Sequence, residues 1–208
     1  WIDDLGELPN LDKRGKSKKK FAKVKQMNLF EGQFRAKVPI MIRDLFGIME
    51  QETLTYEDIK GKKALEKAVE EIKRPFKNIA DAWVAAYFGE EPKNYDALLS
   101  NVTKANRLIS PAAEHNKFFH WQLEFPEVWF EQNGRVRQNN GFDIIIGNPP
   151  YVSFGLGGVG KIFDNEKNFF EAMYPWGAEY KISYYALFME KAIVLMNKNG
   201  IWSYILPD

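Results

Sequence analysis

Apolar residues recur at steps of three and four between about residues 34 and 108, and this spacing predicts helices. One stripe, which marks a first helix, consists of Val38, Met41, Ile42, Leu45, Phe46 and Met49. A second helix is predicted to begin near Thr55, where Asp58 completes a capping-box-like pair, and to end before Pro75. A third is predicted over residues 79–88, with its aromatic residues in the core. We assign this helical section no chemistry.

Shorter apolar runs in the second half of the chain are typical of strands. The first half of residues 118–130 alternates like a strand, and Pro126 is placed to begin a short helix. Residues 142–146 have a β-branched, apolar centre and predict a short buried strand. Gly147 and two prolines end it, because proline cannot donate to a sheet ladder.

A helix and another strand are predicted at the carboxyl end. The helix begins near Ser183 and ends at Asn199-Gly200, which is a usual C-terminal signal. Residues 201–206 are predicted to form a second buried strand. Strand, crossover helix and strand together predict a right-handed parallel unit, so the fold class is α/β.

Composition indicates a globular chain and excludes several kinds of site. The 208 residues are 45% hydrophobic and 15% aromatic, enough for one substantial domain or for a domain with a helical addition. A net charge of +1 gives no overall signature of polyanion binding. Cysteine is absent, which excludes disulfides and thiolate metal sites and fits a reducing cytosol, so we expect a cytoplasmic protein.

We expect neither a metal centre nor a membrane span. The chain has two histidines, too few for a convincing zinc site, and no apolar run approaches the roughly 20 residues of a membrane helix. The sequence begins at Trp1 and stops directly after an apolar strand, so we interpret it as a segment of a larger protein.

A run of basic residues lies near the amino terminus. It comprises Lys13, Arg14, Lys16, Lys18, Lys19, Lys20, Lys23 and Lys25, with no acid among them. Such a run could contact phosphates, each basic residue adding salt-dependent affinity. A solvated linker is the more common role of a block of like charges, and we favour that interpretation.

The candidate catalytic residues are Asn148, Pro149, Pro150 and Tyr151, which follow the first predicted strand. In an open α/β sheet, ligands bind beyond the carboxyl ends of the strands. Asn-Pro-Pro could instead be a simple turn, since Asn and Pro are common turn formers. The apolar strand directly in front of the motif favours the functional interpretation.

Asn-Pro-Pro-Tyr after such a strand resembles the catalytic motif of the S-adenosylmethionine-dependent amino-methyltransferases, above all the DNA adenine-N6 methyltransferases. An amine conjugated with its ring is a poor nucleophile, so the site must favour a tetrahedral nitrogen. The side-chain oxygen of Asn148 and the carbonyl of Pro149 are suitable acceptors, aimed by a stiff Pro-Pro backbone. Tyr151 would stack on a base flipped out of the duplex.

A second block narrows this resemblance. Residues 119–128, Phe-His-Trp-Gln-Leu-Glu-Phe-Pro-Glu-Val, precede Gly-Phe-Asp-Ile-Ile-Ile-Gly-Asn-Pro-Pro-Tyr-Val at 141–152. Together they resemble the Eco57I-type methyltransferases of bacterial restriction-modification and phage-defence systems. The resemblance is clear over residues 113–208 and fainter at residues 81–88. The predicted sections are a basic linker or extension (1–30), a helical insertion (31–112), and part of a Rossmann-like methyltransferase domain that contains the motif (113–208).

Other residues in these sections are weaker candidates. His120 could be a ligand or a base, but one histidine beside aromatic residues is more often a hydrogen-bonded packing residue. Glu124 and Glu127 are possible acceptors, and surface positions are the commoner role of glutamate. Tyr184 or Tyr185 could approach the target base, although we favour core packing.

The glycine-rich segment 155–161 fits two phosphate-binding patterns incompletely. The match to a phosphate loop fails at Ile162, where Ser or Thr should reach magnesium, and G-x-G-x-x-G does not follow its strand directly. About thirty residues separate the strand from the next clear helix. We therefore interpret the segment as a mobile loop that covers the active site or touches DNA.

The resemblance implies an adenine-N6 DNA methyltransferase that uses S-adenosylmethionine and acts on double-stranded DNA, with remaining domains or subunits of a restriction-modification system. The family's glycine-rich cofactor motif is not found, so cofactor-binding residues stay unassigned, and we expect the 208 residues to be inactive unaided. Two alternatives remain open. One is an amino-methyltransferase for protein glutamine or RNA, which the Phe-His-Trp block argues against. The other is a non-catalytic module that binds DNA or a partner subunit.

Overall fold

The computed structural model describes residues 25–90, 92–154, 161–179 and 181–206. It divides into two compact units. The described residues of the helical unit are 25–86, 90 and 92–137, and those of the sheet unit are 87–89, 138–154, 161–179 and 181–206. Almost all of the basic run and residues 155–160 of the glycine-rich segment lie outside the described residues, so the interpretations of both remain predictions.

Two long helices form the body of the helical unit: α1 spans Lys25–Glu50 and α2 spans Tyr56–Ala85. The apolar stripe predicted on α1 is confirmed at its centre, where Val38, Met41 and Ile42 are buried. Its end is not buried, because Met49 is 71% exposed. The capping box at the start of α2 is also confirmed: the Asp58 backbone N–H donates to Thr55 Oγ1, and the Thr55 N–H donates to Asp58 Oδ2 at 2.7 Å.

The prediction that the second helix ends before Pro75 is wrong. α2 continues through the proline, and the helix predicted over residues 79–88 is largely its carboxyl-terminal part. Proline removes one helical hydrogen bond, but this half of α2 is buried. The ring of Phe76 packs edge-on against Phe30 and Phe34, with centroids 5.7 and 5.2 Å apart. Tertiary packing therefore outweighs the local cost of the proline.

Short elements complete this part of the chain. They are a 3-10 turn at Ala86–Phe88, α3 (Tyr95–Ser100), a 3-10 helix at Val102–Arg107, α4 (Pro111–Asn116), α5 (Trp121–Glu124) and α6 (Pro126–Trp129). The strand predicted from residue 118 is wrong, since α5 occupies its position. The rings of Trp121 and Phe125 stack 5.9 Å apart, a contact that residues four apart make on a helix and not along an extended strand. Pro126 begins α6, as predicted.

A buried polar network attaches residues 118–124 to α2. His120 Nε2 lies 2.7 Å from Asp81 Oδ1, and both residues are buried. Lys77 Nζ contacts the same carboxylate at 2.9 Å, and Lys73 Nζ contacts Glu124 Oε2 at 2.7 Å. The prediction that His120 is a hydrogen-bonded packing residue is confirmed.

Two parallel strands organise the sheet unit. β1 (Phe142–Gly147) pairs with β2 (Met196–Tyr204), and α7 (Asp164–Met173) and α8 (Tyr184–Leu195) lie between them in sequence. The parallel pairing is confirmed and the chain is of mixed α/β class. Because the sheet of the described residues has two strands, the larger Rossmann-like sheet stays a prediction.

The expectation that both strands are buried is wrong for one face of the sheet. Ile144 and Ile146 are 60% and 80% exposed, and Ile201, which pairs with Ile144, is 66% exposed. On the opposite face Tyr204 is partly buried, and its hydroxyl donates to the carbonyl of Phe188 in α8 at 3.4 Å. The apolar sequence of β1 suits a strand covered on both faces, whereas α8 covers one.

The last helix ends earlier than Asn199-Gly200, because α8 stops at Leu195. Asn197 accounts for the difference: its Nδ2 donates to Asp143 Oδ1 at 2.5 Å, and its Oδ1 accepts from the backbone of Asn199 at 2.9 Å. These hydrogen bonds stabilise an irregular stretch of β2, at which its register on β1 shifts. The polar residues expected to cap a helix are thus used inside a strand.

The prediction that about thirty residues without a clear helix follow the first strand is wrong, because α7 lies in that section. The backbone of Phe163 donates to Glu166 Oε2 at the start of α7. Gly141, which precedes β1, has φ of 110°, and a Cβ there would lie 2.6 Å from the backbone nitrogen of Asn197. Only glycine fits a positive φ and so close an approach.

Candidate functional site

The candidate site lies directly after β1. Gly147 ends the strand, and the next four residues have no regular secondary structure. Pro149 is buried, whereas Asn148 and Pro150 are exposed and Tyr151 is 47% exposed. The buried proline fixes the turn, and the neighbouring amide and aromatic ring remain accessible to a ligand.

Tyr151 connects the ends of the two strands. Its Oη lies 3.0 Å from Asn148 Oδ1 and 3.0 Å from the carbonyl oxygen of Ile205, the residue after β2. Both partners are acceptors and the hydroxyl has one proton, so it can donate fully to only one of them at a time. The backbone of Ile205 also donates to the carbonyl of Gly147 at 3.2 Å. The motif is therefore braced by the chain that leaves β2.

Gly147 allows a close approach at the same end of the sheet. It pairs with Tyr204, and a Cβ on Gly147 would lie 3.0 Å from Cε1 of that ring. Burial raises the pKa of the Tyr204 hydroxyl, which donates to the carbonyl of Phe188 at 3.4 Å. The glycine that ends β1 thus leaves room for the ring that covers it.

The segment after the motif is anchored on the following part of the unit. The backbone N–H of Phe154 donates to the carbonyl of Ile182 at 2.8 Å, and the backbone N–H of Tyr184 donates to the carbonyl of Val152 at 2.9 Å. Phe154 is buried, and its ring meets that of Tyr184 edge-on at 4.9 Å. Burial, and then the charge of Glu166, raise the pKa of Tyr184. Tyr184 is therefore a packing residue, as we favoured.

The other candidates from the sequence lie in the helical unit. His120 and Glu124 are engaged by Asp81 and Lys73. Glu127 Oε2 is buried and has no hydrogen-bond partner among the described residues, and burial raises the pKa of this carboxyl group. Across the described ranges, no group of three or more His, Cys, Asp and Glu could hold a metal ion. No helix in the same ranges is both long and apolar enough to cross a bilayer.

The model of one protein family, the Eco57I restriction-modification methylases, matches residues 36–208. The chain belongs to the Eco57I methylase family. The prediction from the sequence motifs is thereby confirmed, and the match extends beyond residues 113–208 to most of the helical unit. Comparisons with curated proteins and with solved structures found no match.

In this Eco57I-family methylase, the sequence located the motif but not the groups that support it. Nothing in the sequence marks the carbonyl of Ile205 as a partner of Tyr151, because any residue supplies a carbonyl. The predicted parallel pairing is the one available signal, since it brings the carboxyl ends of β1 and β2 to the same edge. The pairing of Gly147 with Tyr204 depends on the register shift at Asn197, which the pattern did not reveal.

Proposed function

We propose that the protein is a site-specific DNA methyltransferase that acts on N6 of an adenine flipped out of duplex DNA, within restriction-modification or phage defence. Family membership supports a DNA methyltransferase in general. The observation that carries the finer proposal is the exposed pair of Asn148 and Tyr151 at the carboxyl end of β1. The proposed cofactor, S-adenosylmethionine, supplies an electrophilic methyl group when bound, and the residues that bind it are not assigned.

Asn148 and Pro149 would hold the amine of the target base. Asn148 Oδ1 and the Pro149 carbonyl oxygen each accept one N–H, which favours a tetrahedral nitrogen with its lone pair directed at the methyl group. Held in this way, the amine would accept the methyl group that the cofactor supplies when bound, and the methylated nitrogen would then lose a proton to water. A general base is unnecessary, because alkylation makes that proton acidic.

The contact between Tyr151 and Asn148 must change before an amine can bind. In the structure, Asn148 Oδ1 faces the Tyr151 hydroxyl. A half-turn of the Asn148 amide would let Nδ2 donate to Tyr151 Oη while the hydroxyl donates to the carbonyl of Ile205. Each of these groups would keep a partner, and Oδ1 would become available to the substrate. We infer that the present hydrogen bond belongs to the state without substrate.

Tyr151 would stack on the extruded base. Its ring is 47% exposed, and its hydroxyl is bound at the strand ends, so its orientation is set before a ligand arrives. Stacking of a base on an aromatic side chain contributes about 1–3 kcal/mol. Extrusion of a base costs a few kcal/mol, so this contact would offset a substantial part of that cost.

The test is transfer of a labelled methyl group to DNA by the product of the complete reading frame that contains these residues. Asn148→Ala should lower the rate by about 10²–10³-fold, the usual effect of removing one polar group that stabilises a transition state. Asn199→Ala is the matched control, because Asn199 is an exposed asparagine of the same unit. An unchanged rate in Asn148→Ala would contradict the proposal.

A substrate panel separates this proposal from the alternatives. Duplex DNA, RNA and a glutamine-containing peptide should be offered to the same preparation, and duplex DNA should be the preferred acceptor. Preference for RNA or the peptide would be consistent with the proposed catalytic residues but would show that duplex DNA is not the substrate. Binding of DNA without transfer to any acceptor would instead support a non-catalytic module.

A further inference from the structure

A glycine and an aromatic ring face each other at the carboxyl end of the sheet, directly before the candidate motif. Gly147 on β1 pairs with Tyr204 on β2, whose side chain lies on the face of the sheet turned toward α8. A Cβ on Gly147 would lie 3.0 Å from Cε1 and 3.4 Å from Cδ1 of the Tyr204 ring. The ring therefore lies over the backbone of the residue that precedes Asn148.

The space available, and not the backbone conformation, requires glycine at position 147. Gly147 is a strand residue with an extended backbone, which any amino acid can adopt. Carbon atoms in contact are normally about 3.5–4.0 Å apart, so a Cβ at 3.0 Å would press on the ring. Glycine also loses the most conformational freedom on folding. An aromatic side chain on the neighbouring strand can compensate for this by covering the glycine.

The ring of Tyr204 is itself held in place. Its hydroxyl donates to the carbonyl of Phe188 in α8 at 3.4 Å, and the ring meets that of Trp202 edge-on, with centroids 5.3 Å apart. The next residue, Ile205, donates its backbone N–H to the carbonyl of Gly147 at 3.2 Å. Gly147 is thus held by the side chain of Tyr204 and by the backbone of the residue that follows it.

The position of Asn148 depends on this arrangement. Its side chain is exposed, and the hydroxyl that contacts it belongs to Tyr151 of the same motif. The placement of both side chains is therefore set where the motif joins the strands, at Gly147 and Ile205. Displacement of a reacting or orienting group by about 1 Å can lower a reaction rate on the order of 100-fold. A small movement of Gly147 would therefore matter to the proposed chemistry.

We propose that Tyr204 is a positioning residue for methyl transfer, which acts through Gly147 to hold the Asn148 and Pro149 acceptors in place for the target amine. The proposal rests on the proposed function, which assigns those two acceptors. Tyr204 gives the substrate neither a proton nor an acceptor, since its ring fixes the backbone from which the acceptors project. The affinity of proteins for duplex DNA comes largely from phosphate contacts. Loss of the ring should therefore slow the chemical step and leave DNA binding nearly unchanged.

The experiment measures kcat and KM for duplex DNA with the product of the complete reading frame and its variants, below the unfolding temperature of each. Tyr204→Leu removes the ring and should lower kcat by about 10- to 100-fold with little change in KM. Tyr204→Phe keeps the ring and loses the 3.4 Å hydrogen bond, so it should retain most of kcat. Equal loss of kcat in both variants would overturn the proposal, because the ring would not be the group responsible.

Substitution of Gly147 tests the same contact from the other strand. In Gly147→Ala the new Cβ would press on the Tyr204 ring, so kcat should fall in this variant also. The double variant Gly147→Ala/Tyr204→Leu should lose much less than the product of the two single losses, because both substitutions act on one contact. Losses that multiply would show that the two residues act independently, which would overturn the proposal.

Phe142→Leu is the matched control, because it removes an aromatic ring from the other end of β1. It should leave kcat unchanged. Hydrogen exchange at the backbone amide of Ile205, which donates to Gly147, reports the arrangement without any need for methyl transfer. Exchange at this amide should be faster in Tyr204→Leu than in Tyr204→Phe or Phe142→Leu, and an unchanged exchange rate in Tyr204→Leu would overturn the proposal.

The two readouts separate this proposal from the proposed function. Methyl transfer that needs Asn148 but has the same kcat in Tyr204→Leu would refute the positioning role alone. Faster exchange at Ile205 in Tyr204→Leu, together with no methyl transfer to any acceptor by the unsubstituted protein, would refute the proposed function while the contact between Tyr204 and Gly147 would still hold the strand ends.

Discussion

Two substitutions at Tyr151 separate the role of its ring from that of its hydroxyl. Tyr151→Phe removes the contacts with Asn148 and the carbonyl of Ile205 and keeps the ring. Tyr151→Ala removes both parts. If the ring stacks on the target base, the two variants should differ strongly, because Phe preserves the aromatic face.

The expected magnitudes follow from the contacts at Tyr151. In the structure the hydroxyl can donate one hydrogen bond, and in the proposed substrate complex it would make two, so its loss should cost kcat/KM one net hydrogen bond, about 0.5–1.5 kcal/mol. Tyr151→Phe should therefore lower kcat/KM by no more than about tenfold. Loss of the stacked ring removes about 1–3 kcal/mol, so Tyr151→Ala should lower kcat/KM by about 5- to 150-fold.

The assay measures the initial rate of methyl transfer to duplex DNA at several DNA concentrations, by the product of the complete reading frame and its Tyr151 variants. Thermal unfolding of each variant is the control for folding. A ring that contacts the base should leave Tyr151→Phe far more active than Tyr151→Ala. Equal damage by both substitutions would show that the hydroxyl carries the effect and refute stacking. Full activity of Tyr151→Ala would remove Tyr151 from the site.

Two further predictions concern stability. Gly141→Ala should lower the free energy of unfolding by more than about 1–2 kcal/mol, since the positive φ of 110° alone costs about that much and the new Cβ also meets the Asn197 backbone. Gly32→Ala in α1, where a Cβ meets nothing within 4 Å, should raise it by about 0.5–1 kcal/mol. Equal effects in chemical denaturation would contradict this account of Gly141. Burial raises the pKa of Glu127 in the folded state above its ordinary value of 4.5. The contribution of this group to the free energy of unfolding is therefore complete below pH 4.5 and is lost as the pH rises through the pKa of the folded state. Glu127→Gln should remove this decline in the free energy of unfolding. If the difference in that free energy between the variant and the unsubstituted chain did not change with pH, Glu127 would not be the group responsible.

Local patterns predicted the elements whose form depends on nearby residues. Three of these elements depend on residues only a few positions apart: the stripe of α1, the capping box at Thr55 and Asp58, and the turn from β1 into Asn148. Pro126 at the start of α6 is of the same kind. The capping box, the turn, the start of α6 and the centre of the α1 stripe are confirmed, because a cap or a turn depends only on neighbouring residues.

Features decided by distant contacts could not be predicted in the same way. Pro75 continues a helix because Phe76 packs on α1, and residues 121–124 form a helical turn instead of a strand. Asn197 sets the register of β2 through Asp143, 54 residues away. The support of Tyr151 by the carbonyl of Ile205 could not be predicted, because a backbone carbonyl does not depend on residue type. The sequence therefore identified the candidate residues of the site but not the contacts that hold them.

The brace between Tyr151 and Ile205 also sets an order of events during synthesis. The two residues are 54 positions apart, so the motif leaves the ribosome well before the chain that braces it. Until β2 has paired with β1, neither the carbonyl partner of the hydroxyl nor the donor to Gly147 is in place. Contacts between distant residues form late because the intervening chain must first be ordered. The proposed base-binding arrangement therefore matures only after β2 is made and paired, so the proposed methylation would have to wait until this unit has folded.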